Sequence, residues 1–221
     1  MWKVKEGLVN VKDENNMEIF DIEIINNGKI EKNKLFLLEI EDEINLKIED
    51  KFVFDVSHQS YPHKMLTGRR QAFTDETHYD DVTGYSNQNE SEHDHFILGH
   101  TSTSISLALG LAKARDVKGE IGNVVAIIGD GSLSGGEALE GLDFAGELKS
   151  NFIIIVNDND MSIAENHGGL YKNLKLLRET DGKAETNLFK AMGLDYIFVK
   201  DGNNIEELIE AFKKVKDIDY P

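Results

Sequence analysis

The spacing of apolar residues changes near position 48. Upstream, short pieces such as "FDIEI" (20–24) and "KLFLLEI" (34–40) alternate in type and surround Asn27-Gly28. An Asn-Gly pair between alternating segments predicts a β-hairpin. Downstream, apolar runs and helical periods take turns. "KFVFDV" (51–56), "HFILGH" (95–100), "NVVAII" (123–128), "NFIIIVND" (151–158) and "DYIFVKDG" (195–202) read as strands. The fourth is almost continuously apolar, as expected of a strand covered on both faces. "TSTSISLALGLAKARDV" (101–117) reads as a helix with Thr or Ser as its N-cap. "GGEALEGLDFAGEL" (135–148) and "NNIEELIEAFKKV" (203–215) read as two more. Leu139, Leu142, Ala145 and Leu148 share one helix face, and Ser134 and Glu137 have the spacing of a capping box. Residues 65–95 are polar and without period, a long loop of the kind that is functional or mobile.

Alternating strands and helices predict an α/β fold, a three-layer domain around a mainly parallel sheet, over residues 49–221. Residues 1–48 form a small β-rich appendage without a chemical motif. No internal repeat or low-complexity tract is present.

Composition narrows the function. The 221 residues are 40% hydrophobic, enough for a sizeable core. Twenty-four basic against 41 acidic residues give a net charge of −17, which argues against a nucleic-acid or anionic-membrane surface, since either needs a basic face. There is no cysteine, hence no disulfide or thiolate metal site. No apolar run approaches membrane-spanning length, and the first residues lack a signal-type core. A soluble, cytoplasmic protein is expected.

Chemistry concentrates at two predicted strand ends. Gly129-Asp130-Gly131 ends one strand, and "NDND" (157–160) ends the strand one βαβ unit later. Ligands of open parallel sheets bind beyond the carboxyl ends of strands. If the two strands are neighbours, Asp130 and an asparagine of the second turn converge. A carboxylate with amide or carbonyl oxygens suits Mg²⁺ or Ca²⁺. Glycines and a helix N-terminus suit a phosphate group beside it. Alone, the first triplet would be a tight turn whose aspartate bonds its own backbone; the second turn at matching topology sets it apart. Two histidines at strand ends, His58 and His100, suit hydrogen bonding or proton transfer near neutral pH. His93 and His95 read as a solvated pair rather than a metal chelate. Arg69-Arg70 would either meet a sugar phosphate or pair with the acidic surface.

From about residue 49 onward the chain resembles a known family. "FDVSHQSYPHKMLTGRR", "GHTSTSISLALGLAKARD", "GDGSLSGGEALEGLDFAGELKSNFIIIVNDNDMSIAENHGGL" and "LFKAMGLDYIFVKDGNNIEELIEAFKKVKD" are similar to the amino-terminal, thiamine-diphosphate-binding domain of 1-deoxy-D-xylulose-5-phosphate synthases, relatives of transketolase. The resemblance implies that Asp130, the Asn159 side chain and the Met161 carbonyl ligate Mg²⁺. It places Gly131 and Ser132 against the diphosphate of thiamine diphosphate, and His58, Gly99, His100 and Thr101 near its thiazolium and the substrate. It also implies transfer of a two-carbon ketol or acyl unit from pyruvate or a ketose phosphate to an aldehyde phosphate.

The chain departs from the family pattern in several places. Ser57 stands where the family usually has Gly. No histidine occurs in residues 1–48, where the family carries one, and Asp201-Gly202-Asn203 replaces its "DGH". Only about a dozen residues separate "NHGGLYKNL" from "LFKAMGL", where the family has a long insertion. The pyrimidine-binding domain has no counterpart in the sequence. The chain is therefore expected to be inactive alone and to work as a homo-oligomer or as a heteromer with a pyrimidine-domain subunit. A truncated scaffold or binding module is the second reading, and another Mg²⁺-dependent diphosphate enzyme the third.

Overall fold

The computed structural model describes residues 3–7, 21–26, 29–32 and 49–221, apart from Ser57, residues 161–165 and Asp217; for the three N-terminal strands and His58 it describes the backbone alone. Strands β1 (Lys3–Gly7), β2 (Asp21–Asn26) and β3 (Lys29–Lys32) form an antiparallel sheet in the order β1-β2-β3. Asn26 pairs with Lys29, so β2 and β3 are two residues apart in sequence, as the Asn-Gly signal predicts. The piece at 34–40 lies outside the described residues.

The second sheet is wholly parallel, in the order β4 (Lys51–Phe54), β5 (Val124–Gly129), β6 (Ile153–Asn157). Its alternation feeds two cores. Val53, Val124, Ala126 and Ile128 face one side, where they meet α3 (Ser104–Lys118), α5 (Gly136–Ala145), α6 (Gly169–Glu179) and α7 (Leu188–Ala191) through Ile105, Leu142, Leu177 and Phe189. Phe54, Val125 and Ile127 face the other, under Phe212 of α8 (Ile205–Val215). His63 of α1 (Tyr61–Lys64) joins this second face, with its ring 5.0 Å from that of Phe54. Helices on both faces of one parallel sheet give three layers. Among the described residues, no helix is long and apolar enough to cross a membrane.

Two predicted strands do not form. At 95–100, the Leu98 N–H donates to the Ser86 carbonyl, so the segment is held by the preceding loop rather than by a sheet edge. At 195–202, Asp195 N–H donates to the Pro221 carbonyl, and the Tyr196 ring stacks 5.5 Å from Phe189. Those partners draw the segment away from β6 and leave a cavity of about 340 Å³, lined by Ile154, Val156, Leu177, Tyr196 and Phe198.

Two predicted caps also differ. The side chain of Thr103, the residue before α3, makes no cap bond. Asp55, at the end of β4, does this work from a distance by accepting the Ser102 and Ser104 N–H groups at 2.9 and 3.0 Å. The capping box at Ser134 is absent because a one-turn helix α4 (Asp130–Leu133) intervenes. Ser134 bonds back to the Gly131 carbonyl, and Gly135 precedes α5 instead.

Residues 65–95 are organised by charge. Lys64 is fully buried and donates to the Thr83 carbonyl at 2.8 Å and to Glu90 at 2.6 Å. Arg69 forks onto both oxygens of Asp94 at 2.7 and 3.0 Å. Short turns, including α2 (Gln71–Thr74), wrap around these pairs. Burial works against the charges of Glu90 and Asp94, but hydrogen bonds from Lys64 and Thr83 to one, and from His63 and Arg69 to the other, outweigh it and hold both carboxyls below their usual range.

Candidate functional site

Register brings the two glycine- and asparagine-flanked turns together. Gly129 pairs with Asn157, so the polar segments after β5 and β6 leave the sheet side by side. On the other flank of β5, the Asp55 N–H donates to the Ile127 carbonyl and places the end of β4 there. Three chain segments thus converge beyond the carboxyl edge.

Asp130 begins α4 and is only 3% exposed. Its Oδ2 accepts a 2.9 Å hydrogen bond from Asn166 Nδ2. Burial pushes its carboxyl up to about 6; the charge of Asp158 adds to this, and the Gly131 N–H and Arg178 oppose it. This carboxylate is held in a place that disfavours its charge, a feature concentrated at functional sites.

The second turn is clamped. Arg178 of α6 donates one nitrogen to both Asp158 oxygens at 2.5 and 2.6 Å, and its other terminal nitrogen lies 2.7 Å from Asp160. The Asp160 N–H donates to Asp158 Oδ1 at 3.2 Å. Two turns earlier on the same face of α6, Tyr171 Oη donates to the Gly131 carbonyl at 3.4 Å. Helix α6 therefore touches both turns.

Backbone strain gathers at this edge. Val56, Ser102 and Asp160 have φ of 57°, 73° and 57°, in the left-handed region that side chains with a Cβ avoid. Each costs about 1–3 kcal/mol, and such residues cluster where structure serves function. Ser102 is locked on both sides: its N–H by Asp55, and its hydroxyl by the Ser132 carbonyl at 2.6 Å. A Cβ on Gly135 would overlap that hydroxyl. The Gln59 amide lies 3.1 Å from where a Cβ on Gly129 would sit, and its buried Oε1 has no hydrogen-bond partner among the described residues.

The residues expected from sequence distribute as follows. His58 opens a one-turn 3-10 segment just after β4. Gly99, His100 and Thr101 are exposed on the bend that leads through Ser102 into α3. Gly131 and Ser132 are half-buried in α4 beside Asp130. Asn159 is exposed between the two clamped aspartates, and Met161 lies outside the described residues, as does Ser57. Among the described residues, no group of three or more histidines, aspartates or glutamates is arranged to hold a metal ion. The sequence-based ligand set is of another kind, with one carboxylate, one amide and one carbonyl.

Two expectations change. His93 and His95 are half-buried rather than solvated; burial pushes the His95 imidazole down and Lys51 adds to this. Of the two outcomes open for Arg69, its fork onto Asp94 is the acidic pairing, within the fold rather than on its surface. Sequence reading missed Asp55, Gln59, Asn166 and Arg178. Tyr171 and Arg178, seven residues apart, would have shared a face had α6 been recognised.

Fold and edge together define an α/β domain with a buried carboxylate and strained turns gathered at the carboxyl ends of a parallel sheet. A family model described as 1-deoxy-D-xylulose-5-phosphate synthase matches residues 43–186. The 1-deoxy-D-xylulose-5-phosphate synthase of Clostridium botulinum (strain Alaska E43 / Type E3) is 42% identical over 208 residues, covering 78% of this chain and 34% of that protein. 1-Deoxy-D-xylulose-5-phosphate synthase 1 of Geobacter sulfurreducens is 40% identical over 208 residues, covering 78% and 33%. The 1-deoxy-D-xylulose-5-phosphate synthase of Carboxydothermus hydrogenoformans is 40% identical over 210 residues, covering 78% and 34%. The chain belongs to the 1-deoxy-D-xylulose-5-phosphate synthase family, matching its amino-terminal part. It spans about a third of the length of the curated relatives it matches.

Proposed function

We propose that residues 49–221 are the diphosphate-binding half of a thiamine-diphosphate-dependent transferase, with residues 1–48 an appendage. In this reading Asp130, the Asn159 amide and the Met161 carbonyl hold Mg²⁺, and Gly131 and Ser132 lie against the diphosphate. The observation that carries it is the buried Asp130 carboxylate at the end of β5, beside the turn that follows β6. Burial and the charge of Asp158 both disfavour its ionised form, a cost that a bound cation would relieve. The donor set, all oxygen, fits Mg²⁺.

The cofactor would supply the carbon nucleophile for moving a two-carbon ketol or acyl unit, chemistry that no side chain here offers. The chain's own groups bind and orient. His58, Gly99, His100 and Thr101 would face the reacting end, with the two imidazoles able to hold or move a proton near neutral pH. Asp55 sets the position of that bend by fixing the Ser102 and Ser104 N–H groups. Holding the diphosphate does not orient the pyrimidine, so a pyrimidine-binding domain, from a second subunit or another copy, would complete the site. Pyruvate or a ketose phosphate and an aldehyde phosphate are the substrates of this reading.

Isothermal titration with thiamine diphosphate, with and without Mg²⁺, tests it. Binding that requires Mg²⁺ and vanishes in Asp130→Ala is expected. Absence of binding in the unaltered chain would leave the scaffold reading in its place.

A further inference from the structure

Arg178 sits about twenty residues downstream of the "NDND" turn, on a different element, and nothing in the motif requires it. The geometry points to Arg178 as the positioning residue of this turn: its guanidinium holds Asp158 and Asp160 on either side of Asn159 and so fixes where the Asn159 side chain is presented. This deepens the proposed cation–diphosphate reading and rests on it.

Three observations carry the inference. The guanidinium spans positions i and i+2 of the turn, bonding both Asp158 oxygens at 2.5 and 2.6 Å and lying 2.7 Å from Asp160. Asp160 is held at φ 57°, in the left-handed region that costs a residue with a Cβ about 1–2 kcal/mol, less for aspartate than for most. The same helix touches the first turn, through Tyr171 and the Gly131 carbonyl. One rigid element therefore sets the relative positions of both turns.

Charge alone would not account for this arrangement. The Asp160 side chain is 63% exposed, and an exposed ion pair contributes little by itself. The planar fork matters instead, because it presents separate donors to two carboxylates in fixed geometry, which a lysine ammonium cannot do.

The test uses Arg178→Lys, which keeps the charge and removes the fork, and the double variant Arg178→Lys/Asp160→Gly, since glycine takes positive φ without strain. Calorimetry of Mg²⁺–thiamine diphosphate binding is paired with amide exchange over residues 157–160 and a thermal melt to verify folding. Arg178→Lys is expected to bind about tenfold more weakly, with faster exchange across the turn. The double variant is expected to return to within about threefold of the unaltered protein. Unaltered affinity and exchange in Arg178→Lys would overturn the inference, as would a double variant that binds no better than the single one. If the unaltered chain binds no cofactor, the cation–diphosphate reading falls, and the exchange of Arg178→Lys still decides whether the clamp exists.

Discussion

Replacing Asp130 by asparagine should make the ligand-free protein more stable, although it removes the central group of the proposed site. The side chain is nearly the same size, and Asn166 can still donate to the new amide oxygen. What disappears is a carboxylate whose pKa rises from 3.8 to about 6 on folding, through burial first and the charge of Asp158 second. The folded protein therefore binds the proton more tightly than the unfolded chain. Stability from this group is present below the unfolded value and is lost as pH rises from about 4 to about 6. At about 1.4 kcal/mol per pH unit, the ceiling is about 3 kcal/mol. Relaxation of the surroundings, which makes even buried sites behave as a more polar medium than a dry interior, brings the expectation to about 1–2 kcal/mol. Urea unfolding of both proteins across this range is the assay. Asp130→Asn should be the more stable by that amount near neutral pH, and the gap should close towards about pH 4. Mg²⁺ with thiamine diphosphate should stabilise only the unaltered protein. A variant that is less stable at neutral pH, or a gap that ignores pH, would refute the argument that Asp130 is held at an electrostatic cost.

Other residues yield sharper structural tests. Asp55→Ala strands two N–H groups in a site where the carboxylate is 1% exposed; denaturant melts should show a loss of about 2–4 kcal/mol. Asp94→Ala leaves the Arg69 guanidinium buried without its forked partner. A loss of about 3–5 kcal/mol is expected, with faster proteolysis between residues 78 and 98. Because folding lowers the Asp94 and Glu90 carboxyl pKa values, the stability they supply is complete above their unfolded values of 3.8 and 4.5 and lost as pH falls below them. The acid limb of the stability profile should accordingly be shallower in Asp94→Ala. Gly135→Ala drives a methyl group into the Ser102 hydroxyl; thermal melts should report a cost of about 1–3 kcal/mol.

Much of this architecture is legible in the sequence because burial on two faces leaves continuous apolar runs. The runs at β5 and β6 are of this kind, and they are the strands whose ends carry the two turns. The segment 203–215 likewise gives α8, which the structure shows to be capped by the Asn204 side chain. Where reading fails, the missing information is the partner rather than the pattern. "DYIFVKDG" is as apolar as a strand, but Tyr196 stacks on Phe189 and Asp195 bonds to Pro221, so no ladder to β6 forms. Ionic pairs are silent in a different way. Lys64 and Glu90 are 26 residues apart, and Asp158 and Arg178 are 20 apart, spacings that leave no periodic trace. The polar tract 65–95 looks structureless for this reason, although Arg69, Glu90 and Asp94 are paired inside the fold. Asp130 could be named from its turn and Asn159 from the family resemblance, but Asn166 and Arg178, which bond to the two turns, could not.

The most direct measurement is a crystal structure of the protein with Mn²⁺ and thiamine diphosphate, read through the anomalous signal of the metal. One peak is expected within about 2.2 Å of an Asp130 oxygen, with the Asn159 amide oxygen and the Met161 carbonyl completing the protein ligands and the diphosphate on its far side. A peak elsewhere, or an Asp130 carboxylate and an Asn159 amide that point apart around a bound cofactor, would contradict the proposed ligand set.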